Sequence, residues 1–154
     1  MNDGFKLVGT VVIERRRKDG TVIEREEVKN TVVNSGLERV AKLMNKGAAG
    51  VLTPFGYIGI GTGTTGALAT DTTLETEVTR EEADNSGGAY EADYKSIWEK
   101  TFTFGSGESY AITEAGILDS AVVLGSTMFD RFTFSAKNVD ADTDLYVKVT
   151  VTLS

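Results

Sequence analysis

The chain has 154 residues, 40% apolar and 25% charged, with one proline, seventeen glycines, neither cysteine nor histidine, and a net charge of −7. That length allows a single domain with a core of its own, and the two missing residue types remove the usual zinc ligands, a thiolate nucleophile and the imidazole of a Ser-His-Asp triad, which excludes most familiar enzyme chemistry. No secretion signal and no run of eighteen apolar residues is visible, so a soluble protein made in a cytosol is expected.

Charge is unevenly placed. Residues 1–46 carry ten Lys/Arg against seven Asp/Glu, and residues 47–154 carry six against sixteen. An acidic body repels phosphate backbones, so no nucleic-acid partner is expected. The chain opens with two β-rich runs, Lys6–Arg17 and Thr21–Lys29, joined at Asp19-Gly20, a dipeptide suited to a type I′ hairpin turn. Arg15, Arg16, Arg17 and Lys18 can face Glu24, Glu26 and Glu27 across this ribbon, which reads as a solvated, internally paired hairpin. Leu7, Val11, Ile13 and Ile23 offer little apolar surface, so the ribbon needs support from the rest of the domain or from a neighbouring subunit. The expected division is an N-terminal β-hairpin arm over residues 1–30 and a body over residues 31–154.

A helix is predicted from Ser35 to about Asn45. Ser35 and Glu38 match a capping box with Asn34 as a rival cap, Leu37, Val40, Ala41 and Met44 fall on one face, and Lys42, Lys46 and Gly47 suit its end. Such a stripe should cover a sheet. Beyond Pro54 the pattern is β: Tyr57–Ile60, then Tyr94–Phe104 with Trp98, Phe102 and Phe104 on one face, then Tyr110–Leu118 and Met128–Phe134. Residues 144–153 alternate most clearly, with Leu145, Val147, Val149, Val151 and Leu153 inward. The connections Gly61–Thr73, Glu81–Glu91, Gly105–Ser109 and Val139–Thr143 are rich in turn residues, and Glu81–Glu91 reads as the mobile one. The fold class predicted is mainly β, an antiparallel β-sandwich or Greek-key barrel with one α-helix.

Three constellations invite chemistry. Residues 61–66 spell G-x-G-x-x-G after a strand, but no helical periodicity follows, so a Gly/Thr turn that uses glycine's freedom at positive φ is the reading preferred to a nucleotide site. Asp140, Asp142 and Asp144 resemble half of an EF-hand loop; Leu145 and Val151 stand where its glycine and glutamate belong, which favours an Asp-rich turn over calcium. A carboxylate-based hydrolase would need an acid set in an apolar run, and Glu114 is the one that fits; a structural ion pair to Arg131 or Arg80 is expected for it instead. No catalytic residue, cofactor or metal ligand is therefore assigned. A carbohydrate- or calcium-binding sandwich using Tyr90, Tyr94, Trp98 and the Asp turn stands as a lesser alternative.

Several fragments form an ordered series: residues 30–37 (NTVVNSGL) leading into the helix, 57–65 (YIGIGTGTT), 71–80 (DTTLETEVTR), 112–119 (ITEAGILD), 125–131 (GSTMFDR) and the last alternating strand. The series resembles a family of small virion proteins of tailed bacteriophages and, more distantly, the amino-terminal region of phage tail-collar fibre proteins. The resemblance implies a non-enzymatic structural component of a virion, tail- or fibre-associated, with capsid decoration as the alternative. Its implied partners are other virion proteins and copies of itself in a homo-oligomer, without nucleic acid or membrane, and its implied location is the virion, assembled in the bacterial host cytoplasm. On this reading Arg15, Arg16, Arg17, Lys18, Glu24, Glu26 and Glu27 are the assembly contacts, and loss of residues 1–30 should leave a folded body that no longer assembles.

Overall fold

Alternation of apolar side chains with period two organises nearly the whole molecule. In the computed structural model, which describes residues 4, 6–45, 47, 50 and 52–154, the elements are β1 (Leu7–Arg17), β2 (Val22–Lys29), β3 (Thr31–Val32), α1 (Asn34–Leu43), β4 (Tyr57–Gly61), β5 (Glu77–Glu82), β6 (Ala89–Glu91), β7 (Lys95–Phe102), β8 (Ser109–Leu118), β9 (Met128–Asp140) and β10 (Thr143–Leu153). The order β2-β1-β10-β7-β6 makes one five-stranded sheet and β3-β9-β8-β4-β5 the other, with antiparallel pairing throughout. Two sheets stacked over a shared core make this a β-sandwich, within the mainly β class that the alternation predicts. Val11, Ile13, Leu145, Val147 and Val149 from the first sheet and Ile58, Ile60, Ile112, Ile117 and Phe132 from the second belong to that core.

The opening hairpin forms, but it is not an arm. β1 pairs with β10 from Leu7 opposite Leu153 to Arg17 opposite Thr143, and Val11 and Ile13 are fully buried. The few apolar residues that could not support a free ribbon suffice once the sheet lies beside them. Residue 30 is therefore no domain boundary. The turn also differs from type I′. Gly20 N–H donates to Arg17 O (2.9 Å) and Arg17 N–H donates to Thr21 O (2.9 Å), which leaves a three-residue loop in which Gly20 takes the positive φ, 89°. A type I turn closed by a glycine bulge fits this geometry.

The helix starts one residue earlier than predicted and without a capping box. Val33 is its N-cap with no side-chain cap bond, Asn34 N–H donates to Ala69 O (2.8 Å), and the Ser35 hydroxyl donates to Met128 O (2.7 Å). Its buried face is also rotated from the predicted stripe. Gly36 is buried, Val40 packs on the core, and Leu37, Ala41 and Met44 are exposed. The cause is close approach: a Cβ on Gly36 would lie 2.3 Å from Phe129 O, so this residue sets the helix onto β9. Lys46 lies outside the described residues. The connection read as mobile, Glu81–Glu91, instead supplies the end of β5 and all of β6. Asp84 N–H donates to Glu99 O (2.7 Å) and the Asn85 amide to Ile97 O (2.8 Å), tying the span to β7.

Removing residues 1–30 strips β10 of one of its two ladder partners, leaving only β7, and opens the core at Val11 and Ile13. The body over residues 31–154 alone is predicted not to unfold cooperatively in a circular-dichroism melt, whereas the full chain gives a single sharp transition.

Candidate functional site

β4 ends at Gly61, and the chain then lies across the outer face of the second sheet until β5 begins. What holds it there is one carboxylate. Glu114 of β8 is fully buried; its Oε1 accepts from Gly63 N–H (3.1 Å) and Thr76 N–H (2.7 Å), and its Oε2 accepts from Glu75 N–H (3.0 Å) and from Arg131 Nε (2.9 Å). The glycines make room. A Cβ on Gly61 or Gly63 would sit 2.5 Å from Glu114 Oε1. Neither has positive φ, so close approach to the carboxylate, not backbone freedom, is the reason for glycine here.

Arg131 lies next to Glu114 on β9 and is 2% exposed. It donates to Thr65 O (2.9 Å), Gly66 O (3.4 Å) and Asp71 Oδ2 (2.8 Å), and Glu75 Oε2 stands 3.6 Å away. Burial alone would lower the Arg131 pKa, but hydrogen bonds and charge from Asp71 and Glu114 outweigh it and raise it. Burial is also the largest single influence on Asp71, and there the Leu68 N–H and Arg131 overcome it and hold the carboxyl below its usual range. Glu75 is lowered chiefly by the Thr65 N–H, at 2.8 Å. The loop amides that a dinucleotide site would offer to phosphate are thus taken by the protein's own acids. A polar hollow of about 340 Å³, lined by Thr65, Thr70, Asp71, Thr72, Thr73, Glu75 and Arg131, opens over the cluster. With four donors on its two oxygens, Glu114 has no lone pair free for general-base work. Arg131 is the partner that sequence reasoning offered for Glu114, whereas Arg80 pairs with Glu77 instead (2.5 Å).

A second buried acid escaped the sequence reading. Asp130 of β9 is fully buried, and one oxygen accepts from Ile117 N–H (3.0 Å). This replaces a ladder bond where a bulge breaks the β8–β9 register between Ile117 and Leu118. Its other oxygen meets the Asn30 side-chain amide. Asn30 fits because Gly9 has no side chain: a Cβ there would overlap the Asn30 amide, 1.9 Å from its oxygen. The bond therefore joins the β2–β3 junction, packed on β1, to the opposite sheet. Burial pushes the Asp130 carboxyl up to about 7, against the lowering pull of Asn30 and the Ile117 amide. The signal was two adjacent polar residues, Asp130 and Arg131, inside an otherwise apolar alternating run.

The other candidates are placed as follows. Arg15 pairs with Glu24 (3.2 Å), Arg16 with Glu14, Lys18 with Asp144, and Glu27 with Arg25 (3.4 Å). Glu26 leaves the hairpin and bonds Lys137 (2.6 Å) and Ser135 N–H (3.1 Å) on β9, and Arg17 is exposed at the tip. Asp140 Oδ1 accepts from Asp142 N–H (3.0 Å) and from the Thr143 hydroxyl (3.1 Å), closing a tight turn. With Asp144 turned to Lys18, the three acids do not converge. Trp98 is in the core and donates to Phe55 O (2.8 Å), while Tyr90 and Tyr94 are exposed; Tyr90 borders a shallow hollow with Trp98, and Tyr94 does not line it. Among the described residues no helix is long and apolar enough to cross a membrane.

Fold and cluster together define an antiparallel β-sandwich whose long loop is pinned by a buried carboxylate–guanidinium pair. No family model, no curated protein and no solved structure matches the chain.

Glu114→Ala leaves Arg131 short of its most buried partner and frees three loop amides; a loss of about 3–5 kcal/mol is expected in denaturant unfolding. For Asp130 the folded pKa lies above the unfolded 3.8, so its protonated form favours the fold. Its contribution is fully present below about pH 4 and is lost as pH rises through about 7. The Asp130→Asn variant should lack this slope, so the wild type should lose stability relative to it between pH 4 and 8. The size is roughly 4 kcal/mol at ~1.4 kcal/mol per pKa unit, measurable by urea unfolding of both proteins across that range.

Proposed function

We propose that the chain is a non-enzymatic structural component of a tailed-bacteriophage virion, tail- or fibre-associated, that assembles through contacts with other virion proteins and with copies of itself. The observation that carries the reading is the Glu114–Arg131 cluster: its polar groups are saturated by one another and by loop backbone, so they build a fixed surface rather than leave a proton-transfer group free. The ordered series of fragments between residues 30 and 131 supports it from the sequence side, and four of them meet in this cluster: 57–65 brings Gly63 and Thr65, 71–80 brings Asp71, Glu75 and Thr76, 112–119 brings Glu114, and 125–131 brings Arg131.

The hairpin contributes differently from an arm. Its basic residues largely pair within the chain, while β2 remains the outer strand of its sheet and offers an edge, blunted by charge, to a neighbour. Quantitative mass spectrometry of purified particles, with antibody labelling in electron micrographs, tests the proposal. A small ring-like copy number with label on tails is expected. Hundreds of copies over the head would favour decoration, and absence from particles with free protein in the lysate would overturn both.

A further inference from the structure

The connection between β8 and β9 carries three consecutive apolar residues into solvent: Val122 is 62%, Val123 56% and Leu124 92% exposed. Such a tip would ordinarily be floppy, but this one is clamped. Arg80 of β5 donates from one nitrogen to Ser120 O (3.2 Å), Val122 O (3.4 Å) and Ser126 Oγ (3.0 Å). The Asp119 carboxylate accepts from Thr127 N–H (2.7 Å), and Ser126 N–H and hydroxyl both donate to Val123 O. A fixed apolar knob loses little conformational freedom when it docks, which makes it an efficient contact.

The same end of the molecule holds an apolar recess. An apolar cleft of about 340 Å³ opens between the sheets beside α1, lined by Val40, Leu43, Phe55, Phe129, Val151 and Leu153 among others. Arg39 stands between the two features, pairing with Asp119 at the base of the knob (2.8 Å) and lying 5.1 Å over the Phe55 ring. The knob leans instead toward β5, where Arg80 grips it, and the exposure of Leu124 shows that it does not occupy its own chain's cleft.

We propose that the occupant is a second copy of this chain: the tip 122–124 of each copy inserts into the apolar cleft of the other, in a reciprocal twofold dimer. Because Arg39 bridges knob and recess, the two form one patch, and two such patches can face each other about a twofold axis so that each copy's knob meets the other's recess. The proposal deepens the assembly reading by naming the partner of one surface and rests on that reading only for the purpose the dimer serves.

Sedimentation of the purified full chain across a concentration series tests it, with emission of the single tryptophan as a second readout, because Trp98 also lines the cleft. The wild type should reach twice the chain mass, with a concentration-dependent shift in Trp98 emission. Leu124→Asp, at a fully solvated side chain, and Leu43→Glu, at the cleft rim, should each abolish both. Val22→Asp, on the exposed face of β2 at the opposite end, should abolish neither. A wild type that stays monomeric, a Leu124→Asp protein that dimerises like the wild type, or equal loss in Val22→Asp would overturn the proposal. None of these bears on presence in particles, whereas a dimer absent from particles would overturn the virion reading alone.

Discussion

The ion pair between Glu114 and Arg131 is the constraint on which the rest of the second sheet depends. It is buried on both sides, and a buried pair stabilises a fold only when the remaining lone pairs and protons also find partners. Here they find them in a loop: three amides converge on the carboxylate and two carbonyls on the guanidinium. The loop thereby becomes part of the sandwich. It also brings Leu74 over the outer face of the sheet, beside Val33, Leu118 and Met128, where a second small apolar cluster forms.

Asp130 has the complementary task on β9. It fills the gap left by the bulge at its own strand and reaches Asn30 across the sandwich. Adjacent residues on one strand therefore bind two connections of the chain, the one-residue junction at Asn30 and the long glycine loop. The sandwich is stiffened at its periphery by polar groups and at its centre by ordinary apolar packing. The tip at 122–124 is held by a separate set of polar contacts, from Arg80, Asp119 and Ser126.

Much of the fold was legible because period-two alternation survives wherever one strand face is buried. β10 is the plain case, with Leu145, Val147, Val149 and Val151 all essentially buried. β7 and the start of β9 were legible on the same ground, β8 as a continuous run, and the hairpin from its two β-rich runs and the Asp19-Gly20 turn signal. What alternation could not show was docking set by absence of a side chain. Gly36 turned α1 away from the stripe at Leu37 and Met44, and Gly9 opened the slot for Asn30. β5 and β6 were missed because they carry too few apolar residues to alternate: β5 sends only Val78 to the core, and the three residues of β6 are exposed, so both are placed chiefly by pairing to β4 and β7. Glu114 stood out as an acid in an apolar run, and Arg131 was named as a partner for it. Asp71 and Glu75 were not, since only the fold brings residues 40 or more positions apart to one guanidinium.

The central claim is that buried ionisable groups in this chain make a loop behave as core. Native-state amide hydrogen exchange reads this directly at Gly63, Glu75 and Thr76, the three amides held by Glu114. The account predicts that these three amides exchange as slowly as those of β8 and β9, opening only with global unfolding. Exchange at the rate of a free loop, while β8 and β9 stay protected, would contradict it.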